Sequence, residues 1–212
     1  MSTIAEGRID GRKHRRELNR RAVLDAAVEL FSATAAVPQV DEVAAAAHVS
    51  TRSVYRYFAD RDDLIGSAIR HGFSRSVTEV PLADEHAIAD GPDAAGHRIA
   101  RFVDHRLRVH TDLAALFMAA RSVADTIPAA RAMLDASRFA LRQQITDHFA
   151  PDLAALPAGA RSRTIIGVEL PFHFEALAHL IDTVEADSLR RSVLRRHVSL
   201  HLSATEGVGA TT

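Results

Sequence analysis

The chain has 212 residues, 47% hydrophobic and 25% charged, with a formal net charge of −1 and no cysteine. That balance fits a globular protein and excludes wholesale disorder, collagen-like or low-complexity chains, disulfide scaffolds, thiol catalysis and cysteine-ligated zinc. The longest apolar run, Leu113 to Ala120, falls well short of the ~18 residues that span a bilayer, and the first residues lack the apolar core of a secretory signal, so a cytoplasmic protein without a membrane partner is expected.

Residues 1–12 read as a flexible arm. Within residues 1–21, seven basic side chains (Arg8, Arg12, Lys13, Arg15, Arg16, Arg20, Arg21) face three acidic ones, a feature of chain ends that touch polyanions. From about Lys13 to Thr34, Leu18, Ala22, Ala26 and Leu30, with Val23 and Ala27, recur at three- and four-residue steps and predict a helix. Pro38 closes the following connection. Short helices are predicted at about 40–47 and up to about Phe58. Asp60 is placed to cap a fourth helix running to about Val77, with Asp62 and Asp63 in its first turn, favourable against the helix dipole.

Residues 79–96 are polar, acidic and broken by Pro and Gly, and read as a connection. Helical segments are predicted beyond it at about 97–110, 112–125, 128–150, 160–182 and 187–204, with Pro171 kinking the fourth of these. No stretch alternates like a strand. The expectation is an all-α chain of about nine helices: a helix-turn-helix unit over 13–61, a helical bundle over 62–206 and a disordered tail over 207–212.

The stretch Gln39–Leu64 carries the most information. Two short helices joined by a tight turn, with Val43, Ala47, Val49 and Val54 turned inward, read as a helix-turn-helix. Ser50 is placed to cap the second helix, which leaves Thr51, Arg52, Tyr55 and Arg56 on its open start and face. Such a helix fits the major groove of B-DNA. There an arginine can donate two hydrogen bonds to guanine, while hydroxyls at the rim suit phosphates.

At these residues the chain resembles the TetR family of transcriptional regulators. The matching words are VLDAAVELF (23–31), VDEVAAAAHVS (40–50) and SVYRYFADRDDL (53–64), in the family's order and spacing. The resemblance implies that Thr51, Arg52 and Tyr55 face base edges and that Ser53, Arg56, Tyr57 and Arg61 hold phosphates. Asp41 matches a position that sometimes reaches the groove, although an anion there is better suited to capping or to orienting an arginine. Phe58 matches a core aromatic under the recognition helix. Three positions depart from the family pattern. Ala35 stands where Gly ends the first helix, Gln39 where Thr caps the second, and His48 where Gly makes the turn. A histidine tolerates positive φ better than most side chains, at a cost.

Past about residue 80 the resemblance implies a ligand-binding and dimerisation domain whose last two long helices pair with a second copy. Along those helices Ile165, Val168, Glu169, Phe172, Ala176, His179 and Leu180, then Leu189, Val193, Arg196 and Leu200, step along the candidate faces. A dimer also follows from physics, since one short recognition helix grips little DNA, whereas two related by a dyad read half-sites ~34–36 Å apart. Phe102, His105, Phe117, Met118, Arg121, Phe139, Phe172 and His173 mix aromatic, soft and polar groups as a small-molecule pocket requires, and are equally compatible with ordinary core. No metal site is expected. His197 and His201 are four apart, but HVSLH lacks the glutamate of the zinc-protease helix.

No G-x-S-x-G, G-x-G-x-x-G or P-loop motif is present, so no catalytic residues and no cofactor are expected, and the chain reads as a non-enzyme. The sequence therefore points to a homodimeric regulator, most simply a repressor, that binds a palindromic operator and is released by a small-molecule effector. The fourth helix is the expected link between the two parts. The alternative is a helical small-molecule-binding protein or enzyme with a vestigial helix-turn-helix.

Overall fold

The computed structural model describes the backbone of residues 3–34, 36–79 and 94–203, with side chains described over 13–34, 36–75 and 94–203. The predicted connection, for most of its length, and the predicted tail lie outside the described residues, as do Ala35 and the side chains of the predicted arm. Ten helices follow in order among the described residues: α1 Thr3–Thr34, α2 Val40–Ala46, α3 Thr51–Tyr57, α4 Arg61–Glu79, α5 Ala94–Val123, α6 Pro128–His148, α7 Ala150–Leu153, α8 Ala158–Glu169, α9 Phe174–Thr183 and α10 Asp187–Ser203. No strand occurs among them, so the all-α expectation holds.

Three boundaries differ from expectation. Helix α1 begins at Thr3 rather than near Lys13. The added segment contains no proline, and its two glycines lower helix propensity without breaking the helix. The two segments predicted on either side of residue 111 form the single helix α5. Thr111 does not cap a new helix; its hydroxyl bonds back to the Leu107 carbonyl at 3.0 Å. The segment predicted at 160–182 is divided into α8, a 3-10 turn at Leu170–Phe172 and α9. Pro171 lacks the N–H that a continuous helix needs.

The residues form two compact units. The first comprises residues up to Arg75 with Ala115–Leu134, and the second comprises the described residues of 76–114 and 135–212. In the first, Val23, Ala27 and Phe31 of α1 are buried with Val43 and Ala44 of α2, Val54 of α3, Phe58, and Leu64, Ile65, Ala68 and Ile69 of α4. Of the stripe through Leu18, Ala26 is buried and Leu30 half-buried, while Leu18 and Ala22 are exposed. Asp25 of α1 accepts from His71 at 2.7 Å and Arg75 at 3.2 Å, both on α4. Burial raises the Asp25 pKa, but these two partners outweigh it and hold the carboxyl below its usual value.

The core of the second unit is built on Phe102, whose ring meets Phe172 and Phe149 edge-on with centroids 5.0 and 5.2 Å apart. Val103, Leu141, Ile145, Val168, Leu177, Leu194 and Val198 are buried with it. Helices α8 and α10 approach closely at Gly167. His197 reaches the Gly167 carbonyl at 2.8 Å, and a Cβ at Gly167 would fall inside the envelope of the His201 ring. Gly167→Ala is expected to cost about 1–3 kcal/mol in thermal denaturation, as overpacking does, and adding His201→Ala should recover most of it.

Candidate nucleic-acid interface

The turn between α2 and α3 is closed by backbone geometry. His48 has φ 54° and is the only non-glycine residue at positive φ among the described residues. The His48 N–H bonds the Ala45 carbonyl at 3.1 Å, and the Val49 N–H bonds the Ala44 carbonyl at 3.0 Å. That is the Schellman pattern, in which a left-handed residue lets two N–H groups satisfy the last helical carbonyls. The position glycine usually fills is therefore a true left-handed one, as expected. His48→Gly should raise stability by about 1 kcal/mol, a shift of a few degrees in thermal midpoint.

Both helices of the motif are capped. Ser50 Oγ accepts from the Ser53 N–H at 3.2 Å and lies 2.9 Å from Ser53 Oγ, so Ser53 is engaged in the cap and half-buried. At the start of α2 the expected weakness of Gln39 is offset by Glu42, whose carboxylate accepts from the Gln39 N–H at 2.7 Å. Asp41 accepts from the Glu42 N–H at 3.1 Å, a local bond at the start of its own helix. Asp60 caps α4 through the Asp63 N–H at 2.8 Å, and Asp63 accepts from the Ala59 N–H at 3.0 Å.

With Val54 and Phe58 fixed inside, the outer face of α3 follows from helical periodicity. Thr51, Arg52, Tyr55 and Arg56 are exposed, Tyr55 by 51%. The Tyr57 oxygen accepts from Arg56 at 3.0 Å and from Asn19 of α1 at 3.5 Å, which leaves its hydrogen to donate outward. Burial alone would raise the Tyr57 pKa, but these donors hold it below its usual value. Arg61 is half-buried at the start of α4, and its Nε donates to no partner among the described residues. Arg20 lies over the Phe58 ring with its guanidinium carbon 5.2 Å from the centroid. The result is one face of hydroxyls and guanidinium groups on a rigid frame, suited to a polyanion with readable edges.

The other candidate residues are less unified. Of those read as pocket lining, Phe102, His105 and Phe172 are buried and His173 is half-buried in the second unit, where Phe139 is 66% exposed. Phe117 is buried in the first unit, where Met118 and Arg121 are exposed. The eight therefore do not belong to one unit, and Phe139, Met118 and Arg121 are not buried lining. Arg121 stands on the exposed side of its helix.

Of the residues read as a dimer face, Val168, Glu169 and Phe172 are turned into their own core, and Ile165 and Leu180 are half-buried against it. Ile165, Val168, Glu169 and Phe172 share the core face of α8 and the turn that follows it, and only after the break at Pro171 do Ala176 and His179 come to the open side. Glu169 accepts from Arg142 at 2.8 Å and lies 3.6 Å from His173. Ala176, His179, Leu189, Val193, Arg196 and Leu200 are exposed, as read. The sequence reading missed Ile166 and Leu170, which are 48% and 57% exposed. It also missed Arg106, which is buried in the second unit. The spacing of Ile99, Val103, Arg106, His110 and Leu113 carried the signal, because it puts Arg106 on the inward face of α5. Among the described residues no group of histidines and carboxylates is arranged to hold a metal ion, and no single helix is long and apolar enough to cross a membrane.

Residues 23–68 match the model of the bacterial regulatory proteins of the tetR family. Over 85 residues the chain is 39% identical to an HTH-type transcriptional repressor, LfrR, of Mycolicibacterium smegmatis; the match spans 40% of this chain and 43% of that protein, less than half of each. The fold is similar to a tetR-family regulator from Streptomyces coelicolor, with TM-score 0.63 and 21% identity over 89% of this chain and 81% of that one. It is also similar to the multidrug binding protein EbrR, complexed with imidazole, with TM-score 0.50 and 24% identity over 84% and 88% of the two chains. At these identities the structural likeness establishes the fold.

Proposed function

We propose that this chain is a repressor of the TetR family, on the helix-turn-helix domain matched at residues 23–68, that binds a near-palindromic operator as a homodimer and is released by a small-molecule effector. The observation that carries the reading is the exposure of Thr51, Arg52, Tyr55 and Arg56 on an N-capped α3 whose inner side is buried. In this reading Thr51, Arg52 and Tyr55 meet base edges. Arg56, Tyr57 and Arg61 hold phosphates, and Ser53 contributes its hydroxyl beside them. Asp41 orders the start of α2 rather than touching DNA.

The repressor assignment is supported by the likeness to LfrR, a transcriptional repressor, and effector binding by the likeness of fold to EbrR, a multidrug binding protein. The functional division is a DNA-binding part over 13–61 and an effector-binding and dimerising part over 62–206, in the cytoplasm. For the dimer, the exposed apolar residues Ile166 and Leu170 with Leu189, Val193 and Leu200 are the contact face. The last three recur at four and seven residues, the repeat of a helix that packs against another. The effector acts by binding one conformer of the dimer better than another, which is all a ligand can use to shift an equilibrium.

The test is fluorescence anisotropy of the purified chain on the duplex just upstream of its own gene, over a salt series, with a random duplex alongside. Tighter binding to the upstream duplex that weakens steeply with salt is expected. No preference over random DNA, repeated on duplexes selected from the whole genome, would assign the chain to small-molecule binding with an idle helix-turn-helix.

A further inference from the structure

Arg106 of α5 is more than nine-tenths buried, at 8% exposure. Its partner is an uncharged one, the Gln144 side-chain oxygen of α6, which accepts from Nη1 at 3.4 Å. Its Nε is buried and donates to nothing, and no carboxylate pairs with it among the described residues. Beside it, His105 is also buried, with Nε2 2.8 Å from Gln144 Nε2 and Nδ1 without a partner. The Gln144 amide thus spans both side chains. If its nitrogen donates to His105 Nε2, the proton of His105 is on Nδ1, and the two consecutive residues each carry an unmet N–H donor.

The charges that act on His105 are all positive. Burial first, then Arg106, Arg108 and His148, push the His105 pKa down to about 4. Burial lowers the Arg106 pKa to about 10, so it remains a cation at neutral pH. On His110, Asp182 acts to raise the pKa, while burial and Arg106 lower it and prevail. A buried guanidinium with no anion is costly, and an anion supplied from outside would relieve that cost. The buried groups of the same unit are aromatic: Phe102 and Phe172 in edge contact, and Phe174 stacked on His110 at 5.3 Å.

We propose that the second unit receives an organic acid, its carboxylate paired with Arg106 and the neighbouring His105 and its apolar body against the phenylalanines. This rests on the reading of that unit as the effector-binding part, and assigns the effector's chemical class.

The experiment compares the full chain with Arg106→Met and Arg106→Lys by thermal melts and titration calorimetry. The probes are benzoate and decanoate, their uncharged counterparts benzyl alcohol and decanol, and inorganic phosphate. At least one carboxylate should raise the wild-type midpoint more than its alcohol does. Arg106→Met should weaken that carboxylate at least tenfold and leave the alcohols unchanged, while Arg106→Lys retains part of the affinity. Without any probe, Arg106→Met should melt at or above the wild-type temperature, because it removes an unpaired buried charge. A lower melting temperature for Arg106→Met alone would make Arg106 a structural residue and overturn the proposal. So would carboxylates no better than alcohols on the wild type, or a response to phosphate with none to either acid. All three proteins should bind the upstream duplex alike without probe. Failure of the wild type to bind DNA would overturn the regulator reading, not this one.

Discussion

Arg52→Ala is expected to weaken operator binding by roughly thirtyfold or more while leaving the protein folded. Arg52 is the second residue of α3, exposed, directly after the Ser50 cap. The first turn of a recognition helix is the part that reaches base edges. A bidentate arginine–guanine contact is worth about 1–3 kcal/mol of discrimination, and a dimer makes it once per half-site, giving about 2–6 kcal/mol in all. The change removes an exposed side chain and no cap, so stability should move by less than about 0.5 kcal/mol. Base contact and phosphate contact separate in the salt series. Arg52→Ala should relax preference among operator sequences with a nearly unchanged salt slope. Arg61→Ala should weaken all duplexes alike and reduce the slope by about one per site. Equal operator affinity for Arg52→Ala and wild type would remove the helix-turn-helix from the function.

The helix-turn-helix was legible because its signals are local. A cap, a turn and a buried valine lie within a few residues of one another. Each is satisfied by a neighbour in sequence: Ser50 by Ser53, His48 by Ala45, Asp60 by Asp63. Even the departure at Gln39 is offset by a residue three positions on, Glu42, a reciprocal pattern that reading the cap position alone overlooks.

The second unit was less legible because its decisive contacts join residues far apart in sequence. Phe102 meets Phe172, Arg106 meets Gln144, and Gly167 meets His197. Period alone gives a helix's apolar face but not how much of it a neighbour covers. Phe139 and Met118 therefore read as lining and stand exposed, while Arg106, which no motif singles out, is buried. Period placed Val168 and Phe172 on one stripe of α8 but not which side of that helix the core covers, so they are buried while Ile166 and Leu170 take the open side, and the break at Pro171 then turns Ala176 and His179 away from the buried stripe.

Phe102→Ala and Phe139→Ala, two residues read alike from sequence, should differ by several kcal/mol. Phe102 is fully buried, touches two phenylalanine rings and stacks on His148 at 5.7 Å. Deleting a buried phenylalanine costs about 3–5 kcal/mol, from lost transfer free energy and from the cavity left where rigid rings cannot collapse inward. For a chain of this size that is a fall in melting temperature of roughly 6–20 °C. Phe102→Leu should recover most of the loss, because it refills much of the volume without the edge-to-face contacts. Phe139 has no such enclosure, and Phe139→Ala should shift the midpoint by less than about 0.5 kcal/mol. Thermal denaturation of the three variants at one protein concentration decides this, and repeating it at tenfold dilution adds a control. If Phe139→Ala is destabilising only at high concentration, Phe139 belongs to a surface that a second copy covers. If Phe102→Ala melts with the wild type, the aromatic cluster is not the core of its unit.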